Sequence, residues 1–115
     1  MKTLERCSMN RERTCGSEIA EELANEIKLK FPKKKVHDIA RALGADVVYE
    51  KPVEMYPLKR ISEYRPKNSQ IVVFYREYER MAVAHELFHH LVKIRKIEVP
   101  GHEQEKQAEI FSNLI

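Results

Sequence analysis

Three side chains in the run HELFH, His85, Glu86 and His89, have the types and the spacing to hold a metal ion and move a proton beside it. On an α-helix, positions i and i+4 share one face, about 6 Å apart along the axis. Two imidazoles so placed can occupy two corners of a tetrahedral zinc site, with Zn–N near ~2.0–2.1 Å. Glu86 follows His85 directly and is rotated about 100° around the helix. It therefore stays near the metal without sharing the histidine face, the position of a general base for a water at the metal. The bland alternative is a pair of helical histidines hydrogen-bonded in a core.

The motif needs a helix, and its flanks supply one. Met81–Ile94 reads MAVAHELFHHLVKI, with no Gly or Pro and with strong helix formers at Ala82, Ala84, Leu87 and Leu91. Met81, Ala84, Phe88 and Leu91 recur at the spacing of a buried stripe, which Val83, Leu87 and Ile94 widen. A helix this apolar is expected at the centre of a domain, where an unpaired charge is costly and a metal would compensate it.

A catalytic zinc typically takes three protein ligands. Glu98, nine residues past His89, would lie about 13 Å further along a continued helix and cannot reach. Pro100-Gly101 reverses the chain, and a last helix is expected from about Glu103 to the end. Glu105 and Glu109 share a face of that helix, and either could fold back to the metal. His102, at the turn, and His90, rotated away from His89, are weaker candidates.

With 115 residues the chain is expected to form one domain around one modest core. No apolar run approaches the ~18 residues of a membrane helix, and no secretory leader pattern opens the sequence, so a cytoplasmic location is expected. Cys7 and Cys15 lie in a polar segment without CxxC spacing and are read as free thiols. The net charge of +3 arises in the first 35 residues, nine Lys/Arg against six Glu. The single basic run, Lys33-Lys34-Lys35, suits a helix end or solvent, and no direct nucleic-acid binding is expected.

Residues 1–16 read as a flexible arm and 17–115 as the domain. Ser17 is the expected N-cap of a helix running to about Lys30, stopped by Pro32. A short helix is expected over Val36–Leu43 with Gly44 just past its end, and His37 is read as a surface residue. Val47–Tyr49 reads as a strand, Pro52–Pro57 as irregular, and Leu58–Tyr64 as a weak strand. The latter is joined through Pro66-Lys67-Asn68-Ser69 to the strongest strand, Gln70–Tyr75. Helices, then strands, then helices make an α+β chain.

Two further segments carry a resemblance. VHDIARALGADVVYE (Val36–Glu50) and EKQAEIFSNLI (Glu105–Ile115), in this order around HELFHH, resemble the ImmA/IrrE metallopeptidases, a gluzincin-like group. The likeness covers about Val36–Ile115. It implies a compact zincin-like domain, a small antiparallel or mixed sheet packed on the HExxH helix, with helices at both ends. It also implies Zn²⁺ held by His85, His89 and Glu105, with Glu86 as the base. The sequence departs from the family pattern at Phe88, where Gly is common, at Gln107, where a second Glu is expected, and at Glu109, where Asn is expected.

The function expected on these grounds is a zinc-dependent endopeptidase of narrow specificity. Zinc polarises the scissile carbonyl and acidifies a water, and Glu86 takes the proton and passes it to the leaving amine. Ile71–Tyr75 is expected to offer a strand edge to an extended peptide. The resemblance implies a helix-turn-helix repressor as the protein that is cleaved or antagonised. Two rivals stand beside this. One is a zinc-binding regulator that acts by binding alone. The other is a DNA-binding regulator in which VHDIARALGA opens a helix-turn-helix, though the β-branched Val47 and Val48 and then Pro52 argue for a strand there.

Overall fold

The structure is a computed structural model, and it describes residues 12–52 and 60–115. Its elements are α1 (Glu12–Lys30), α2 (Val36–Ala42), β1 (Asp46–Tyr49), β2 (Ser62–Arg65) and β3 (Gln70–Val73). A 3₁₀ turn (Arg76–Tyr78), α3 (Glu79–Arg95) and α4 (Gly101–Leu114) follow. Among the described residues this is an α+β globule of four helices and one three-stranded mixed sheet. No described helix is long and apolar enough to cross a membrane.

The motif helix α3 lies at the centre. Val83, Leu87, Phe88 and Leu91 are fully buried. The sheet packs on one side of α3, and α4 packs on another, with α1 behind α4. Phe88 meets Phe111 of α4 with ring centroids 5.6 Å apart, so the bulky residue at 88 fills the seam between these two helices. The ends of the expected stripe differ from the sequence-based expectation. Met81 is 49% exposed and Ile94 42%; they lie in the first and last turns of α3.

Helix α2 ends as the Gly44 signal predicts. Gly44 takes φ +89°, its N–H donates to the Arg41 carbonyl (3.0 Å), and the Ala45 N–H donates to the Ala40 carbonyl (2.9 Å). These are the two bonds of a Schellman cap. The chain then enters β1, so VHDIARALGA leads into a strand and forms no helix-turn-helix. Helix α3 closes the same way on a non-glycine residue. Lys96 sits at φ 52°, and the Ile97 N–H donates to the Val92 carbonyl (3.0 Å).

The N-terminal boundary requires correction. Helix α1 already includes Glu12–Gly16, so Ser17 lies inside it and is not its N-cap. Glu12, Arg13 and Glu18 are compatible with helix, and a single Gly16 costs only about 1 kcal/mol against Ala. Residues 1–11, with Cys7, and most of the irregular stretch around Pro57 lie outside the described residues.

The sheet order is β1-β3-β2. β1 runs parallel to β3 in the register Val47↔Ile71, and β2 runs antiparallel in the register Tyr64↔Ile71. The expected hairpin is therefore present, but β3 is paired on both sides. The strand edge placed at Ile71–Tyr75 is not available. β3 is the most apolar strand, with Ile71, Val72 and Val73 buried, and burial on both faces belongs to a central position. The open edge beside α3 is that of β2.

A His-His-Glu group in a cleft between α3, α4 and β2

α4 folds back antiparallel to α3 after Pro100, and this brings Glu105 to the histidines. Its Oε1 lies 2.9 Å from His85 Nε2 and its Oε2 lies 3.1 Å from His89 Nε2. One ligand atom from each of the three residues lies within 4.8 Å of the others, an arrangement that could hold a metal ion. The set is chemically suited to zinc, being two imidazoles and one carboxylate. Ligands of a tetrahedral zinc at bond lengths of ~2.0–2.1 Å stand about 3.4 Å apart, and the two contacts of Glu105 with the histidines are a few tenths of an ångström shorter. Burial pushes the Glu105 carboxyl up, but the hydrogen bond from His85 and the charges of both histidines outweigh it and hold Glu105 below its ordinary range. It therefore presents itself as an anion.

The tautomer of His89 is set from behind. Its Nδ1 lies 3.1 Å from Gln104 Oε1, and the Gln104 amide N–H donates to the Val99 carbonyl (3.2 Å). That second bond orients the amide with its oxygen toward the ring. Nδ1 thus carries a proton, which leaves Nε2, on the side of Glu105 and His85, as the nitrogen that a metal could take. Outer partners of this kind orient metal-binding histidines. Sequence reasoning did not single out Gln104; its place beside Glu105 on α4 is the only hint.

Glu86 stays out of the ligand group, as its rotation around the helix requires. It is 6% exposed and lines the same cleft as His85 and His89. The Ser62 hydroxyl on β2 donates to its Oε2 (2.7 Å). Burial raises the Glu86 carboxyl above its ordinary range, against the hydrogen bond from Ser62 and the neighbouring histidines, which pull it down. A carboxylate with raised affinity for a proton, in contact with a cleft, suits proton transfer. Nothing in the sequence marked Ser62, which lies in the weakest strand signal.

His90 is not part of the group. Its Nε2–H donates to the Leu43 carbonyl (2.7 Å) and its Nδ1 accepts from the Tyr64 hydroxyl (2.7 Å). At 1% exposure both nitrogens are satisfied. His90 ties α3 to the α2 cap and to β2, and Ser62 and Tyr64 reach α3 from the same face of the strand. Lys93 Nζ, one turn on, donates to the Pro66 carbonyl and to Ser69 Oγ, fastening the hairpin turn. Among the other histidines, His102 is 80% exposed. His37 is half-buried, with Nε2 2.7 Å from Glu79 Oε2 and 3.1 Å from the Tyr49 hydroxyl, so it braces the start of α3 rather than standing free at the surface.

Glu109 lines the cleft one turn beyond Glu105 but does not join the ligand group. Of the two carboxylates, Glu105 is the one that lies with the histidines. The cleft itself is open and measures about 1310 Å³. β2 forms its upper wall. Phe74 N–H donates to the Ile61 carbonyl (2.9 Å), so alternate residues Ile61, Glu63 and Arg65 turn their main chain toward β3. The main-chain groups of Ser62 and Tyr64 face outward, and among the described residues no strand pairs with them.

Compared with protein-family models, with curated proteins and with solved structures, the chain matches none.

Proposed function

We propose that this protein is a zinc-dependent endopeptidase of narrow specificity with a zincin-like arrangement. The observation that carries the reading is the division of labour on α3. His85 and His89 converge with Glu105 on one point, while Glu86 is held apart by Ser62 at the wall of the same cleft. His85, His89 and Glu105 would hold the zinc. When bound, zinc supplies a Lewis acid that polarises a carbonyl and acidifies water.

Glu86 accepts a proton from the attacking water and delivers it to the departing amine, and its raised proton affinity supports both halves of that transfer. Ser62 keeps one Glu86 oxygen engaged and leaves the other for this task. The outward main chain of Ser62 and Tyr64 offers hydrogen bonds to an extended peptide laid along β2. Antiparallel addition is the slightly stronger pairing and sets the direction of the peptide. The resemblance to ImmA/IrrE metallopeptidases supports a helix-turn-helix repressor as the substrate.

Glu86→Gln tests the reading. It removes the base while leaving three metal ligands, so zinc content should be kept and cleavage of a repressor substrate lost. Wild-type cleavage by Glu86→Gln would refute the role of Glu86, and binding of the repressor without cleavage by the wild type would favour a regulator that acts by binding alone.

A further inference from the structure

We infer that Glu109 and Met81 form a subsite selecting a cationic side chain with an apolar stem, lysine above all, in the residue that follows the scissile bond. The inference rests on the peptidase reading above and adds to it the chemistry of the substrate.

The two ends of the cleft differ. β2 runs alongside α3 in the same direction, with Ser62 on Glu86 and Tyr64 on His90. A peptide antiparallel to β2 therefore runs from the Lys93 end of α3 toward its Met81 end. The residue after the scissile bond then falls beside the turn that precedes His85. Met81, half exposed, lines the cleft there with Ala82, Ile61 and Phe74, an apolar wall for a side-chain stem.

A charge stands at the mouth of this wall. The antiparallel run of α4 on α3 is fixed at both ends: Gln104 meets His89 at 3.1 Å, and Arg80 donates to the Ile115 carbonyl at 2.6 Å. Between these anchors, Glu109 lies level with the Met81–His85 turn and lines the cleft. Its side chain has no ion pair or hydrogen bond among the described residues; the Ser112 hydroxyl donates to its main-chain carbonyl. Glu105 is spoken for by the histidines, and Glu86 by Ser62. Arg60, which also lines the cleft, turns its guanidinium to Glu63 (3.3 Å). Glu109 is thus the carboxylate there still open to a partner. It is exposed, which limits its selectivity to roughly fivefold.

A series of succinyl hydroxamates tests this without a known substrate. The hydroxamate binds the metal, and the side chain on the second carbon from it, next to the amide carbonyl, takes the place of the residue after the scissile bond. Butyl, aminobutyl and carboxyethyl versions are titrated calorimetrically into the zinc-loaded full chain. The aminobutyl compound should bind roughly fivefold tighter than butyl, and carboxyethyl weakest. Glu109→Gln should equalise aminobutyl and butyl, Glu109→Lys should invert the order of the charged pair, and Met81→Ala should weaken butyl and aminobutyl alike. Equal affinities in the wild type, or an order unchanged in Glu109→Gln, would overturn the subsite while leaving the peptidase reading intact. Failure of every hydroxamate to bind the zinc-loaded chain would overturn the peptidase reading, and the subsite with it.

Discussion

Gln104 Oε1 accepts a hydrogen bond from His89 Nδ1 at 3.1 Å, so the ring nitrogen turned toward Glu105 is the one left for a metal. The immediate neighbour of Glu105 in sequence is therefore the residue that orients His89 in the proposed metal site. Removing it should cost affinity rather than the site itself. Gln104→Ala is expected to weaken zinc binding about tenfold, within the range of ~10–100-fold for such partners, with stoichiometry unchanged in a chelator competition.

The two carboxylates on the face of α4 should separate in the same assay. Glu105 reaches both histidines, whereas Glu109 stands a turn away at the cleft mouth. Glu105→Gln should lower zinc affinity by more than tenfold, as loss of one of three ligands to the metal. Glu109→Gln should change it little. A larger loss at Glu109 would reverse the assignment.

Glu86→Gln should also stabilise the metal-free protein at neutral pH. Burial raises the Glu86 carboxyl in the folded state, so the folded chain binds that proton more tightly than the unfolded chain. Its contribution is fully present below the unfolded value and is lost as pH rises through the folded value. The variant keeps no such dependence. Denaturant titrations of both proteins should agree in acid and diverge toward neutrality, with the variant the more stable.

The helix ends make an independent prediction about stability. Lys96 and Gly44 hold equivalent positions in two Schellman caps, at φ 52° and 89°, and a residue with a Cβ is disfavoured there by roughly 1–2 kcal/mol. Lys96→Gly should stabilise the fold by about 1 kcal/mol, and Gly44→Ala should destabilise it by about as much. A Cβ at Gly44 would meet nothing closer than His90 Nε2 at 4.0 Å, so the cost is one of backbone conformation. Thermal unfolding of the two variants measures both.

The motif helix, the Gly44 cap, the β2–β3 hairpin and the return of α4 were legible in the sequence because each follows from local chemistry: helical spacing, a left-handed position, a turn tetrad, a Pro-Gly reversal. The order of the strands was not. Alternation and β-branching identify β3 as a strand, but they do not say that β1 crosses to pair with it in parallel and closes the edge that a peptide would need. Ser62 and Gln104 were invisible for a related reason. Each acts on a residue distant in sequence or across a helix interface, Ser62 on Glu86 and Gln104 on His89, and a hydroxyl or an amide alone in a sequence signals nothing. The start of α1 at Glu12 rather than Ser17 was missed because polar residues there were not read as the adequate helix formers they are.

Metal content tests the central claim most directly. Untagged protein, purified without chelator and analysed for elements, should carry about one zinc per chain, and His85→Ala or His89→Ala should carry almost none while remaining folded by circular dichroism. A wild-type chain that holds no metal and binds none when zinc is supplied would contradict the account.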